Sequence, residues 1–223
     1  GTNNNDNFSC TESDDLVYAY DGDDTITGLS GNDTIYGGNG NDRLEGQSGS
    51  NTTFGEGGND FIYAGHGTDL ADGGSGNDTI IAEFSNDTII GGTGNDYLEG
   101  NSGSDTYIFN LGDGQDTICE YNNPVYGTDS PNDTIQFGTG ISLEDLEFFR
   151  YDNNLVIQNI NNNDSITINN HFSDSRFVIE NFVFSDSTSL TSTEVASLVQ
   201  ILPIEGTNNN DNFSCTESDD LVY

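Results

Sequence analysis

GLSGNDTIY (28–36), GGNGNDRLE (37–45), GGSGNDTII (73–81) and GGTGNDYLE (91–99) are four copies of one nine-residue phrase. Outward from them, residues 1–108 divide into twelve consecutive nonapeptides without an insertion, and eleven of the twelve carry Asp at the sixth place. The phrase is G-G-x-G-x-D-x-U-x, with U a large apolar residue. Its first six residues form a turn, because glycine permits backbone angles that a Cβ forbids. Its last three form a short strand whose eighth residue points inward. Two nonapeptides then make one coil of a two-sided solenoid, with successive units on alternate sides.

Charge is the sharpest constraint outside the repeat. The 223 residues include 39 acidic and 3 basic ones, for a formal net charge of -36; the basic residues are Arg43, Arg150 and Arg176. Such a chain repels nucleic acid and anionic membranes and attracts cations. With 31% hydrophobic residues, self-repulsion and chain entropy would leave it disordered unless something neutralised it. No apolar stretch approaches the roughly 18 to 20 residues of a membrane span, and no signal-peptide pattern opens the chain, so membrane insertion is not expected. The absence of Met is what a piece of a longer polypeptide would show, with any targeting signal outside it.

The turn half supplies the cation site. Calcium takes six to eight oxygens at about 2.3–2.6 Å, and glycine-turn carbonyls plus an Asp carboxylate provide half of that shell. An adjacent turn on the same side must provide the rest, so unit n shares its ion with unit n+2. Odd units place Asp6, Asp24, Asp42, Asp60, Asp78 and Asp96 in one file, over Phe8, Ile26, Leu44, Ile62, Ile80 and Leu98. Their fourth places are Asn4, Gly22, Gly40, Gly58, Gly76 and Gly94. Even units give Asp15, Asp33, Asn51, Asp69, Asp87 and Asp105, over Val17, Ile35, Thr53, Ala71, Ile89 and Tyr107. Gly31 holds a fourth place there, while Ser13 and Ser85 replace glycine. The even file is therefore expected to be weakest between Asp33 and Asp69, where Asn51 is a neutral ligand and Thr53 and Ala71 thin the core. Ten nominal intervals, two of them touched by Asn51, lead to about eight good sites. A flexible acidic linker would not keep a core residue at a nine-residue spacing.

GTNNNDNFSCTESDDLVY (1–18) recurs unchanged at 206–223. One whole 205-residue unit followed by the first two nonapeptides of another suggests a tandem array with stacking interfaces and an elongated form. Cys215 is the copy of Cys10. At ~4.8 Å per coil, Cys10 and Cys119 would stand roughly 25 Å apart, beyond disulfide reach. A Cys119 to Cys215 staple, a bond between neighbouring chains, and free thiols all remain open.

Residues 1–121 resemble the calcium-binding β-roll of RTX proteins secreted by Gram-negative bacteria. SGSDTYIFNLGDGQDTICEY (102–121) resembles the usual end of such a roll, and residues 132–200 resemble the haemolysin-type calcium-binding related domain. The resemblance implies an all-β fold: a right-handed parallel β-roll over 1–121, a small β-rich cap with one or two short helices over 122–205, and the start of the next unit over 206–223. It also implies type I export of the unfolded chain, then folding in extracellular calcium; the count of the files puts about eight to ten ions in each unit.

In the second half, Leu155, Ile157 and Ile160, then Ile166 and Ile168, then Phe177, Ile179, Phe182 and Phe184 alternate as strands do. Ser142 with Asp145, and Thr191 with Glu194, mark two helix starts. No G-x-S-x-G or H-E-x-x-H motif is present, and His66 and His171 are expected to be exposed polar residues, so no enzyme activity is expected. Three functions fit. The first is an extracellular structural or adhesive repeat protein (fibre, matrix or S-layer component), with like units as partners in a homopolymer or tandem array. The second is the secretion and folding module of a toxin or enzyme whose active domain lies elsewhere. The third is a calcium buffer.

Overall fold

The computed structural model describes residues 1–121 and 132–201. It is a parallel β-solenoid whose two sheets grow one strand per nonapeptide. Odd units give the strands Asn7–Ser9, Thr25–Thr27, Arg43–Ser48, Phe61–His66, Thr79–Phe84 and Tyr97–Glu99. Even units give Leu16–Asp21, Thr34–Asn39, Thr52–Gly57, Leu70–Ser75, Thr88–Thr93 and Thr106–Phe109. Neighbours pair in parallel at an 18-residue offset, aligning Phe8, Ile26, Leu44, Ile62, Ile80 and Leu98 on one side. Val17, Ile35, Thr53, Ala71, Ile89 and Tyr107 align on the other. All of these are buried except Phe8, which is half-buried in the first coil.

Most strands run past the phrase into the next unit. The first-place residue lies two positions after U, on the same inner face, which is why Ala19, Ala64 and Ala82 are fully buried. From the third unit on, the second place then turns left-handed whether or not it is glycine: Tyr20, Leu29, Gln47, Glu56, Glu83 and Asn101 have φ between 67° and 81°. Non-glycine residues there carry a strain of about 1–2 kcal/mol each, tolerated because strand pairing on both sides fixes the corner.

Both sheets continue beyond the twelve nonapeptides. On the odd side Gln115–Ile118 and then Ser165–Ile168 add in parallel. Asn154–Asn159 and Leu146–Tyr151 come next, antiparallel, and Gln200–Ile201 forms the edge. On the even side Thr134–Phe137 and Asn181–Val183 add in parallel, and Ser189–Thr191 closes antiparallel. The switch to antiparallel pairing ends the solenoid, because the reversed strands no longer offer the edge that another coil would match. Phe137, Phe182 and Phe184 continue the same core.

Both expected helix starts carry capping boxes, with different outcomes. Thr191 and Glu194 open an α-helix, Ser192–Leu198. Ser142 and Asp145 cap a single 3-10 turn, Leu143–Asp145, and the chain then enters the strand Leu146–Tyr151, where Leu146 and Phe148 are buried by alternation. Ile160 lies outside its strand and is 54% exposed, and Phe177 sits in a second 3-10 turn. His171 corrects the expectation of an exposed residue. It is buried between Phe172 and Phe182, its Nδ1 accepts the Ile179 N–H at 3.4 Å, and burial lowers its pKa to about 4. It is a neutral core residue, whereas His66 is exposed and stacks on Phe84 at 4.7 Å. Cys10 and Cys119 are both free and half-buried, and Cys215 lies outside the described residues.

Candidate metal centre

Each sixth-place Asp stands at the end of its turn, where the chain enters the strand. Its Oδ1 accepts the backbone N–H of the sixth-place residue one coil earlier. The odd file runs Asp6 N–H to Asp24 (2.6 Å), Asp24 to Asp42, Asp42 to Asp60, Asp60 to Asp78 and Asp78 to Asp96, the last four at 2.7 Å. The even file runs Asp15 to Asp33, Asp33 to Asn51, Asn51 to Asp69, Asp69 to Asp87 and Asp87 to Asp105 at 2.6–3.0 Å.

The second carboxylate oxygen is different. Oδ2 of Asp24, Asp33, Asp42, Asp60, Asp69, Asp78, Asp87, Asp96 and Asp105 is buried and has no hydrogen-bond partner, although these residues are at most 3% exposed. An orphaned buried carboxylate oxygen costs several kcal/mol unless a proton or cation meets it. Nine of them in two rows, with a backbone turn beside each, fit a hard cation that takes oxygen ligands.

Glycine shapes the cradle. Gly22, Gly31, Gly40, Gly58, Gly76 and Gly94 have φ between +119° and +148°. A Cβ on Gly40, Gly58, Gly76 or Gly94 would fall 1.7–2.0 Å from the carbonyl oxygen of the fourth-place glycine one coil earlier, so only glycine lets these carbonyls stack. At the first place, a Cβ on Gly28, Gly37, Gly55, Gly73 or Gly91 would fall 2.3–2.5 Å from the free Oδ2 of its own unit's Asp.

Residues 1–35, 11–44, 18–53, 45–80, 72–107 and 81–118 match the RTX calcium-binding nonapeptide repeat, which together is more than half of the chain. The chain belongs to the RTX calcium-binding repeat family. Residues 154–194 match the haemolysin-type calcium binding protein related domain. No curated protein matches the chain. RTX nonapeptide repeats bind calcium, and a roll of them is a calcium-binding domain, not a catalytic one. Among the described residues no helix is long and apolar enough to cross a membrane.

Electrostatics within the RTX roll follow from burial. Desolvation raises Asp42, Asp69 and Asp78 to about 6, Asp60 and Asp105 to about 7, and Asp87 to about 8. Hydrogen bonds from the preceding coil oppose the shift, and neighbouring file members reinforce it in most cases. In the first coil the geometry departs from the repeat: Asp6 and Asp15 are half-buried, and their Oδ2 atoms accept N–H groups of Thr2 and Thr11 within their own units. Asn51 departs in another way. Its Oδ1 keeps the ladder bond from Asp33, but its Nδ2 lies where other units put Oδ2 and donates to the Gly49 carbonyl at 3.3 Å. A donor thus occupies the place of a ligand oxygen.

Two sets of residues escaped the sequence reading. The fifth place forms an outer ladder in which Asn41, Asn59, Asn77 and Asn95 accept with Oδ1 from the backbone N–H of Asn59, Asn77, Asn95 and Gln115 in turn. The recurring Asn before Asp was the available signal. The files also outlast the nonapeptides: Asp96 N–H donates to Asp116, Asp105 to Asp133 at 2.9 Å, and Asp133 to Glu180 at 2.8 Å. These links span 20, 28 and 47 residues, so no fixed period announces them.

Proposed function

We propose that this chain is one unit of an extracellular structural or adhesive repeat protein that is exported unfolded and folds when calcium fills its two carboxylate files. The row of unpartnered Asp Oδ2 atoms carries the calcium part of the reading. Without a cation, adjacent carboxylates repel in a low-dielectric interior and the open chain is favoured. With calcium, each ion neutralises that charge and binding free energy becomes folding free energy. In this reading the Asp24 to Asp96 and Asp33 to Asp105 files, with the fourth-place glycine carbonyls, hold the ions, and the interval flanking Asn51 is the weakest. RTX repeat proteins are typically secreted by type I secretion, and a chain that stays open at low calcium suits that route.

The structural role rests on the verbatim return of residues 1–18 at 206–223, which supports a parent built from repeated units with like units as partners. Electron microscopy of native source material and of the purified chain, in millimolar calcium and after chelation, tests it. Regular fibres or sheets that dissolve on chelation are expected. Isolated short particles under both conditions would instead favour a secretion and folding module for an active domain elsewhere.

A further inference from the structure

The even file does not end as it runs. At its last nonapeptide the cradle gains a carboxylate that belongs to no repeat. One carboxylate oxygen each from Asp105, Glu120 and Asp133 lies within 4.8 Å of the others, and all three residues are fully buried. Glu120 Oε2 and Asp105 Oδ2 have no hydrogen-bond partner. Glu120 is held from its other oxygen: the Tyr107 hydroxyl donates to Oε1, and the Gly100 N–H donates to the Tyr107 oxygen at 2.7 Å. That arrangement fixes the glutamate and leaves Oε2 open. Gly100 completes the cradle, since a Cβ there would lie 2.5 Å from Asp105 Oδ2 and 2.7 Å from both Glu120 Oε1 and the Tyr107 oxygen.

We propose that Asp105, Glu120 and Asp133 form a separate calcium site that pins the end of the RTX roll to the strands beyond it. The size is right, because ligands on opposite sides of an ion with bonds of about 2.3–2.6 Å stand up to about 5 Å apart. The donor set is all oxygen, which selects a hard cation over zinc or copper. Three buried carboxylates have to share the space that two share within the files. Their mutual repulsion makes the metal-free cluster costly, and among the described residues it is the group in which three such ligand atoms come within 4.8 Å of one another. Its three ligands come from the last even nonapeptide, the segment after Gln115–Ile118 and the segment before Thr134–Phe137, so one ion ties both sheets at the point where the repeat stops. The proposal shares with the proposed function only the identity of the ion.

Native mass spectrometry of the full chain in calcium, for wild type and Glu120→Gln, tests it, with circular dichroism monitoring the fold. Gln keeps the shape and the acceptor for Tyr107, so the variant is expected to fold at saturating calcium and to retain one ion fewer. A folded Glu120→Gln chain with the wild-type ion number would overturn the proposal and leave a cluster held by protons. Should that variant not fold, terbium titration of Tyr107→Phe decides. Tyr107 is the phenol bonded to the site, so loss of one phase of tyrosine-sensitised terbium emission with an unchanged ion number supports the site, and retention of every phase sinks it. A wild-type chain that takes up no calcium would defeat the file reading as well, whereas an unchanged count in Glu120→Gln defeats only this site.

Discussion

The two files are built from the same phrase at the same pitch, yet they are unequal. The odd file sets Asp24, Asp42, Asp60, Asp78 and Asp96 over an unbroken row of Ile and Leu. The even file is interrupted at its centre by Asn51, by Thr53 with a buried hydroxyl that finds no partner, and by Ala71. On the outer face of the even sheet, Tyr18, Tyr36 and Phe54 stack at 4.9 Å with planes 8° and 12° apart, a row that ends on the Thr53 strand. The strand that carries Thr53 is thus supported from outside through Phe54, with aromatic pairs of this kind worth about 0.5–1.5 kcal/mol. Register, which the backbone ladder fixes in both sheets, is kept even where a sixth-place carboxylate is missing, so under the proposed function register and ion binding are separable properties of one repeat.

The largest effect should come from removing the calcium that the proposed function places in both files. Chelation at pH 8 is expected to abolish the β-sheet circular dichroism of the whole chain. The calcium-free chain should regain it on acidification, because carboxyls whose folded pKa values are raised bind protons more tightly when folded. Asp60, Asp87 and Asp105, at about 7, 8 and 7 against 3.8 for the unfolded group, contribute stability that is fully present below about pH 4. That stability is lost as pH rises through 6 to 8. In calcium the dependence reverses, and the calcium midpoint should climb as pH falls from 8 to 5. A chelated chain that folds better at pH 8 than at pH 4 would refute this account.

Making the files alike is the next largest test. Asp60→Asn copies the defect of Asn51 into the odd file, and should raise the calcium midpoint of folding and cost roughly 2 kcal/mol of stability at fixed calcium for a lost charged partner. Asn51→Asp should lower that midpoint and destabilise the calcium-free chain at neutral pH. Equal midpoints for the two variants would mean that the sixth-place charge does not set the calcium dependence.

Below those stands Thr53→Val, which removes the orphaned hydroxyl at constant shape and should add about 1–2 kcal/mol in denaturant titration at saturating calcium. Glu56→Gly, at an exposed second place with φ of 73°, should give a gain of only about 0.5 kcal/mol, because relief of left-handed strain is offset by glycine's greater unfolded-state entropy. A loss of stability there would show that the second place is not strained.

Most of the solenoid was legible because its determinants are local and periodic: Asp, glycine and U recur at fixed places, and an 18-residue pairing results from two units per coil. The interruption at the centre of the even file was legible too, since Asn51 and Thr53 break the pattern at known places. The region beyond residue 108 was not. Glu120 and Glu180 look like any other acidic residues until pairing across 28 and 47 residues brings Asp133 beside Asp105 and Glu180 beside Asp133. The same holds for His171, whose polar surroundings in NNHFSD conceal the Phe182 that buries it from eleven residues on. Ser142 and Asp145 promised a helix that strand pairing overrode after one turn.

The growing separation between linked carboxylates, 18 residues through the roll and then 20, 28 and 47, uncouples distance along the chain from distance along the axis. Each rung advances by one strand spacing however many residues the polypeptide spends in reaching it. A scaffold of this kind can take on new sequence between rungs as a cable takes slack between fixed posts, and the outer corners become places where length can be added while the spacing of the charges is preserved.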